Sequence, residues 1–187
     1  MPPTPATLPS ARPHSKWLVG PPDADRDQRQ TKDAPDAVLD QVLKTRELDI
    51  VFQPIVQIAG GKVFGFETLM RVPPRLGAIR ADQLIELAMR QNRCLELELL
   101  AIEHAIAAFG KRKLGGKVFI NTGAATLAAL AADHGATLFR LLHRASIPPS
   151  RVMFELTEHE RVSDPEALQH AMEMLAHQGV GLALDDF

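Results

Sequence analysis

Two runs rich in β-branched and aromatic residues, 50–58 and 62–70, flank Gly60-Gly61. That pattern predicts an antiparallel β-hairpin, and everything after it alternates between helical and strand periodicity. Pro54 cannot donate to a ladder, so the first strand is expected to have one unpaired side or to carry a bulge. Helices are predicted over 81–91 and 94–109, the second with Leu95, Leu99, Ile102, Ile106 and Phe109 on one stripe. Lys117 to Asn121 reads as a short strand, followed by helices over 124–132 and 136–145. Arg151 to Thr157 reads as the next strand. Ser163-Asp164-Pro165-Glu166 is a helix start, with a cap and then proline in the first turn. Gly179 is a C-terminal cap, and Val180 to Asp186 reads as a fifth strand. A hairpin followed by helix–strand units implies an α/β fold with a largely parallel sheet. A closed barrel of this class takes eight strands and about 250 residues. Five strands therefore make either an open sheet or part of a barrel.

Ahead of this pattern, residues 1–35 hold eight of the fourteen prolines and show no apolar periodicity. Such a segment cannot bury enough apolar surface to offset its ordering entropy, so it is expected to be a disordered tail containing the only tryptophan, Trp17. From Asp36 the pattern changes, and Ala37, Val38, Val42, Leu43 and Leu48 predict a short amphipathic helix. The expected folded domain is therefore 36–187. A net charge of −2 gives no reason to expect a duplex nucleic-acid or membrane-binding surface. No apolar run reaches the length of a membrane span or a secretory signal. The single cysteine, Cys94, has no partner for an internal disulfide and reads as a small core residue. The expected compartment is the cytoplasm.

Oxygen-bearing side chains recur at the C-terminal ends of the predicted strands: Glu67, Asn121, Glu155 and Asp185-Asp186, spaced by 54, 34 and 30 residues. In βα folds that edge collects ligand and catalytic groups. Carboxylates and an amide, with no cysteine or histidine among them, suit Mg²⁺, Mn²⁺ or Ca²⁺ rather than zinc. Several carboxylates on one rim repel one another unless a cation neutralises them, and paired divalent ions are a common device for hydrolysing phosphodiesters. Taken singly, each residue also fits a blander role. A strand-end Glu is often solvated, Asn121 can cap the helix that follows it, and Asp185-Asp186 can be an ordinary turn.

The residues also resemble a known family. Phe52-Gln53-Pro54-Ile55-Val56 is similar to the opening strand of EAL domains, and Gly65-Phe66-Glu67-Thr68-Leu69-Met70-Arg71 resembles their Gly-x-Glu-Ala-Leu-x-Arg signature. Phe119-Ile120-Asn121-Thr122-Gly123 resembles the Val-Asn-x-Ser segment, and Glu155-Leu156-Thr157-Glu158 matches Glu-x-Thr-Glu. Residues 179–187 match the stretch leading into Asp-Asp-Phe-Gly. The resemblance implies a TIM-like barrel with an antiparallel first strand that hydrolyses cyclic di-GMP to the linear dinucleotide pGpG with Mg²⁺ or Mn²⁺. It implies Glu67, Asn121, Glu155 and Asp185 as metal ligands, Asp186 on a second metal, and Glu158 in support. It also implies that Gln53 and Arg71 contact the substrate, Arg71 through a phosphate. A surface ion pair is the plainer role for Arg71, and a helix N-terminal charge for Glu158.

Three departures stand out against the family. Thr68 replaces the signature alanine beside Glu67, and Gly123 replaces a serine. The chain also stops at Phe187, before the strands that carry the family's lysine, loop glutamate and late glutamine. On this reading the chain alone is expected to be poorly stable and inactive, and a homodimer or a complementing chain is the expected partner. The competing readings are a non-catalytic module that binds cyclic di-GMP or docks to a partner, and a non-functional remnant.

Overall fold

The computed structural model describes residues 37–157 and 164–185. The tail predicted over 1–35, with Glu158, Ser163 and Asp186, lies outside the described residues. A helix over residues 37–45 (α1) leads into β1 (Asp49–Val56) and β2 (Val63–Arg71). Then follow α2 (Ala81–Arg90), α3 (Cys94–Arg112), β3 (Lys117–Thr122), α4 (Ala124–Ala132) and α5 (Ala136–Ala145). The remaining elements are β4 (Val152–Thr157), α6 (Pro165–His177) and β5 (Gly181–Asp185).

The strands form one sheet in sequence order, β1-β2-β3-β4-β5. β1 is antiparallel to β2, and the other pairs are parallel. The hairpin turns at Gly60 and Gly61, both at positive φ (99° and 63°), where a side chain would be strained. Both expectations for Pro54 hold. Among the described residues β1 pairs only with β2, and its register slips between Ile55 and Val56.

Alternate residues of each strand face the helices. Ile50, Val118, Ile120, Val152 and Phe154 are buried there, packed with Ile102, Ile106 and Phe109 of α3 and with residues of α4, α5 and α6. Burying a side chain the size of Phe154 or Phe109 contributes about 2–3 kcal/mol. A second cluster joins Leu39 and Val42 of α1, Leu84 and Leu87 of α2, and Leu97 and Leu100 of α3.

The predicted stripe on α3 holds only in its later part. Leu95 and Leu99 are exposed (40% and 36%), and Leu97 and Leu100 are buried in their place. The first turns of α3 pack on α1 and α2 while its last turns pack on the sheet, so the buried face rotates along the helix. Cys94 is half-buried against the second cluster. Asp164 caps α6 as expected, accepting the Ala167 N–H at 2.9 Å, with Pro165 in the first turn. No helix among the described residues is long and apolar enough to cross a membrane.

Candidate functional site

Strand register decides which predicted residues meet. Gln53 pairs with Glu67 across the hairpin, Glu67 with Phe119, and Asn121 with Glu155. Side chains alternate across a strand, so Gln53, Glu67, Asn121 and Glu155 share the face opposite the helices. Glu67, Asn121 and Glu155 stand on three adjacent parallel strands; Asn121 and Glu155 lie towards the C-terminal ends of β3 and β4, whereas Glu67, expected at a strand end, lies in the middle of the longer β2, level with Phe119. Asp185 is the last residue of β5, paired with Thr157, two positions past the residue level with Glu155. For Asp185 the backbone alone is described.

Two glycines shape the floor below this rim. A Cβ on Gly65 would meet the Phe119 ring and the Lys117 carbonyl, both at 2.6 Å. One on Gly181 would run into the Met153 sulfur. The absent side chains let Phe119 and Met153 lie beneath the polar row. Phe119 is 7% exposed, with its ring 5.9 Å from that of Phe64.

Glu67 and Asn121 are in direct contact. The Asn121 side-chain N–H donates to Glu67 Oε1 at 3.1 Å. This fixes the amide's orientation, because the reversed amide would set its oxygen against the carboxylate. The remaining oxygen, Asn121 Oδ1, is buried and has no hydrogen-bond partner among the described residues. A buried acceptor without a partner is costly unless something else completes it.

The helix-cap alternative for Asn121 fails. The N-cap of α4 is Gly123, and its N–H is taken by Glu98 Oε2 at 2.8 Å. The same oxygen lies 3.4 Å from the Thr122 hydroxyl. Glu98 was not among the predicted residues. It sits inside an apolar helical run, and its partners lie 24 and 25 residues away.

Thr68 does not crowd Glu67. It is buried on the helix side, and its hydroxyl donates to the Phe119 carbonyl at 2.9 Å. The expectation that it sits beside the carboxylate is therefore corrected by the alternation of the strand. Arg71, at the rim end of β2, is exposed and donates to the Met70 carbonyl at 2.8 Å. Among the described residues it forms no ion pair, so the surface-pair alternative has no partner there. Gln53 is exposed on β1 beside Glu67.

A divalent-cation site fits these residues. The donor set is all oxygen, Asn121 offers a buried acceptor, and the partner carboxylate is already oriented. Among the described residues no three His, Cys, Asp or Glu side chains cluster. The set shown here is two carboxylates and an amide. A cleft of about 780 Å³ opens elsewhere, between the ends of α3 and α5, lined by Phe109, Gly110, Leu141, Arg144 and Arg151. No predicted site residue lines it.

The fold has counterparts among known proteins. The EAL domain model matches residues 36–187. An uncharacterized protein of Mycobacterium tuberculosis is 27% identical over 173 residues, covering 88% of this chain and 55% of the relative. MucR of Pseudomonas aeruginosa, a bifunctional diguanylate cyclase/cyclic di-GMP phosphodiesterase, is 30% identical over 153 residues, covering 80% of this chain and 22% of that protein. The solved PaMucR phosphodiesterase–c-di-GMP complex superposes with a TM-score of 0.64 at 28% identity, covering 80% of this chain and 62% of that one. Klebsiella pneumoniae BlrP1, solved with manganese and cyclic di-GMP, gives a TM-score of 0.62 at 27% identity, covering 75% and 35%. The chain spans about half the length of the mycobacterial relative and less of the multidomain ones. Its five strands, the first antiparallel, correspond to part of the TIM-like barrel of these neighbours, and the barrel is not closed among the described residues. A match across residues 36–187, together with the hairpin and the row of oxygen-bearing side chains, makes this chain a member of the EAL domain family.

Proposed function

We propose that the domain hydrolyses cyclic di-GMP to linear pGpG with Mg²⁺ or Mn²⁺, in the cytoplasm. The observation that carries this reading is the Glu67–Asn121 contact with its partnerless Oδ1, next to Glu155 on the adjoining strand. Glu67, Asn121, Glu155 and Asp185 would hold the cation, with Asp186 serving a second ion and Glu158 supporting the set. A bound divalent ion lowers the pKa of its water and offsets charge on the phosphoryl oxygens.

The chain's own residues contribute orientation. Asn121 holds Glu67 with one oxygen turned to its amide. Glu67 on β2 and Glu155 on β4, both acidic and flanking Asn121 on the strand between them, favour a cation among them. Arg71 presents a planar fork suited to phosphate oxygens at the rim. Gln53, beside Glu67, is placed to hydrogen-bond the same ligand. That relatives of known structure are complexes with c-di-GMP, one of them with manganese, supports the choice of ligand and ion.

Titration calorimetry of the chain with cyclic di-GMP, in Mn²⁺ and in chelator, tests the reading. Uptake that requires the ion, and is lost in Glu67→Gln, is expected. Uptake indifferent to chelator would favour a non-catalytic receptor. The replacement of the signature alanine by Thr68 lends that receptor no support, since the hydroxyl faces away from the site.

A further inference from the structure

We propose that Glu98 of α3 is a positioning residue for Asn121. The inference rests on the metal-site reading above. Among the described residues Asn121 is held through its side chain by one hydrogen bond, to Glu67, and its other polar atom has no partner. Its direction is therefore set by its backbone, and the two residues that follow it are pinned from outside the strand. Glu98 Oε2 accepts the Gly123 N–H at 2.8 Å and lies 3.4 Å from the Thr122 hydroxyl. Gly123 has no side chain with which to cap α4, and Glu98 takes the N–H of that N-cap residue itself, the donor that an N3 side chain takes in a capping box. The segment of α3 that carries Glu98 is anchored by Leu97 and Leu100, both buried, while Leu99 next to it is exposed. A rigid path thus runs from the α1–α2–α3 cluster through Glu98 and the 122–123 turn to Asn121, and from there to Glu67.

The test compares Glu98→Ala, Glu98→Gln and Glu98→Asp in the full chain. Mn²⁺ affinity is read by calorimetry, and the Asn121 side-chain amide signals by NMR without metal. Removing a direct hydrogen-bond partner of a metal ligand typically costs about 10- to 100-fold in affinity; Glu98 acts one step further out, so Glu98→Ala is expected to cost up to about 10-fold. Its Asn121 amide signals should move as well. Glu98→Gln keeps an acceptor of the same reach and should stay near wild type. Glu98→Asp keeps the charge but loses a methylene of reach, and should bind more weakly than Glu98→Gln. Unchanged affinity and unmoved Asn121 signals in Glu98→Ala overturn the proposal. Should Glu98→Ala fail to fold, equal behaviour of the Gln and Asp variants overturns it instead. A wild-type chain that takes up no Mn²⁺ defeats the metal reading; the Asn121 signals then decide the positioning contact alone.

Discussion

On β3, Val118 and Ile120 are buried under the helices, whereas Asn121 lies on the opposite face among oxygen-bearing side chains. β2 repeats the contrast within two residues: Glu67 faces the site and Thr68 the core. The helix face is apolar and closely packed. The other is polar at one edge, with Phe119 and Met153 beneath. The period of two lets one strand carry both stability and chemistry with little interference. Neighbours in sequence need not be neighbours in function.

Four variants break or sharpen that contrast. Phe154→Ala on the helix face should cost about 3–5 kcal/mol in chemical denaturation. Under conditions where it still folds, Mn²⁺ affinity should match wild type. A selective loss of metal binding would show that the faces are coupled. On the other face, Glu67→Gln should lower Mn²⁺ affinity by more than the roughly 10- to 100-fold expected for an outer partner, with little change in stability. Calorimetry and a denaturant curve read the two effects separately. Thr68→Ala removes one buried hydrogen bond and should cost about 1 kcal/mol while leaving Mn²⁺ affinity unchanged. A change in affinity would place Thr68 in the site after all.

The smallest effect concerns the helical layer's surface. The Thr137 hydroxyl, and then its backbone N–H, hold the Asp133 carboxyl below the usual carboxylate range. A depressed folded-state pKa stabilises the protein above the unfolded value, and that contribution fades as pH falls through the folded one. Asp133→Asn should therefore flatten the acid limb of the melting-temperature profile slightly and leave neutral-pH metal binding intact.

Much of this architecture is legible in the residues. Gly60-Gly61 between two strand-like runs gives the antiparallel pair, and Pro54 marks its edge. The helices predicted over 124–132 and 136–145 stand at those bounds, separated at Gly135, whose φ is 74°. Two features resisted reading for physical reasons. α3 serves two clusters in succession, so no single stripe describes it, and Leu95 and Leu99 were taken for core. Glu98 acts on backbone N–H and hydroxyl groups of a distant turn, and such an acceptor leaves no pattern in its own segment. Oxygens at the strand ends could be counted in the sequence. That Glu67 and Asn121 touch required the register.

The reversed direction of β1 has a mechanical consequence. Asp49, where the polypeptide enters the sheet, pairs with Arg71, where β2 leaves it. In an all-parallel barrel the first strand would begin at the far end, a full strand length from the reactive edge. Here the incoming chain arrives at that edge itself, beside the arginine assigned to the phosphate. A pull or twist delivered from upstream is thus felt first where the ligand would sit, without having to cross the sheet.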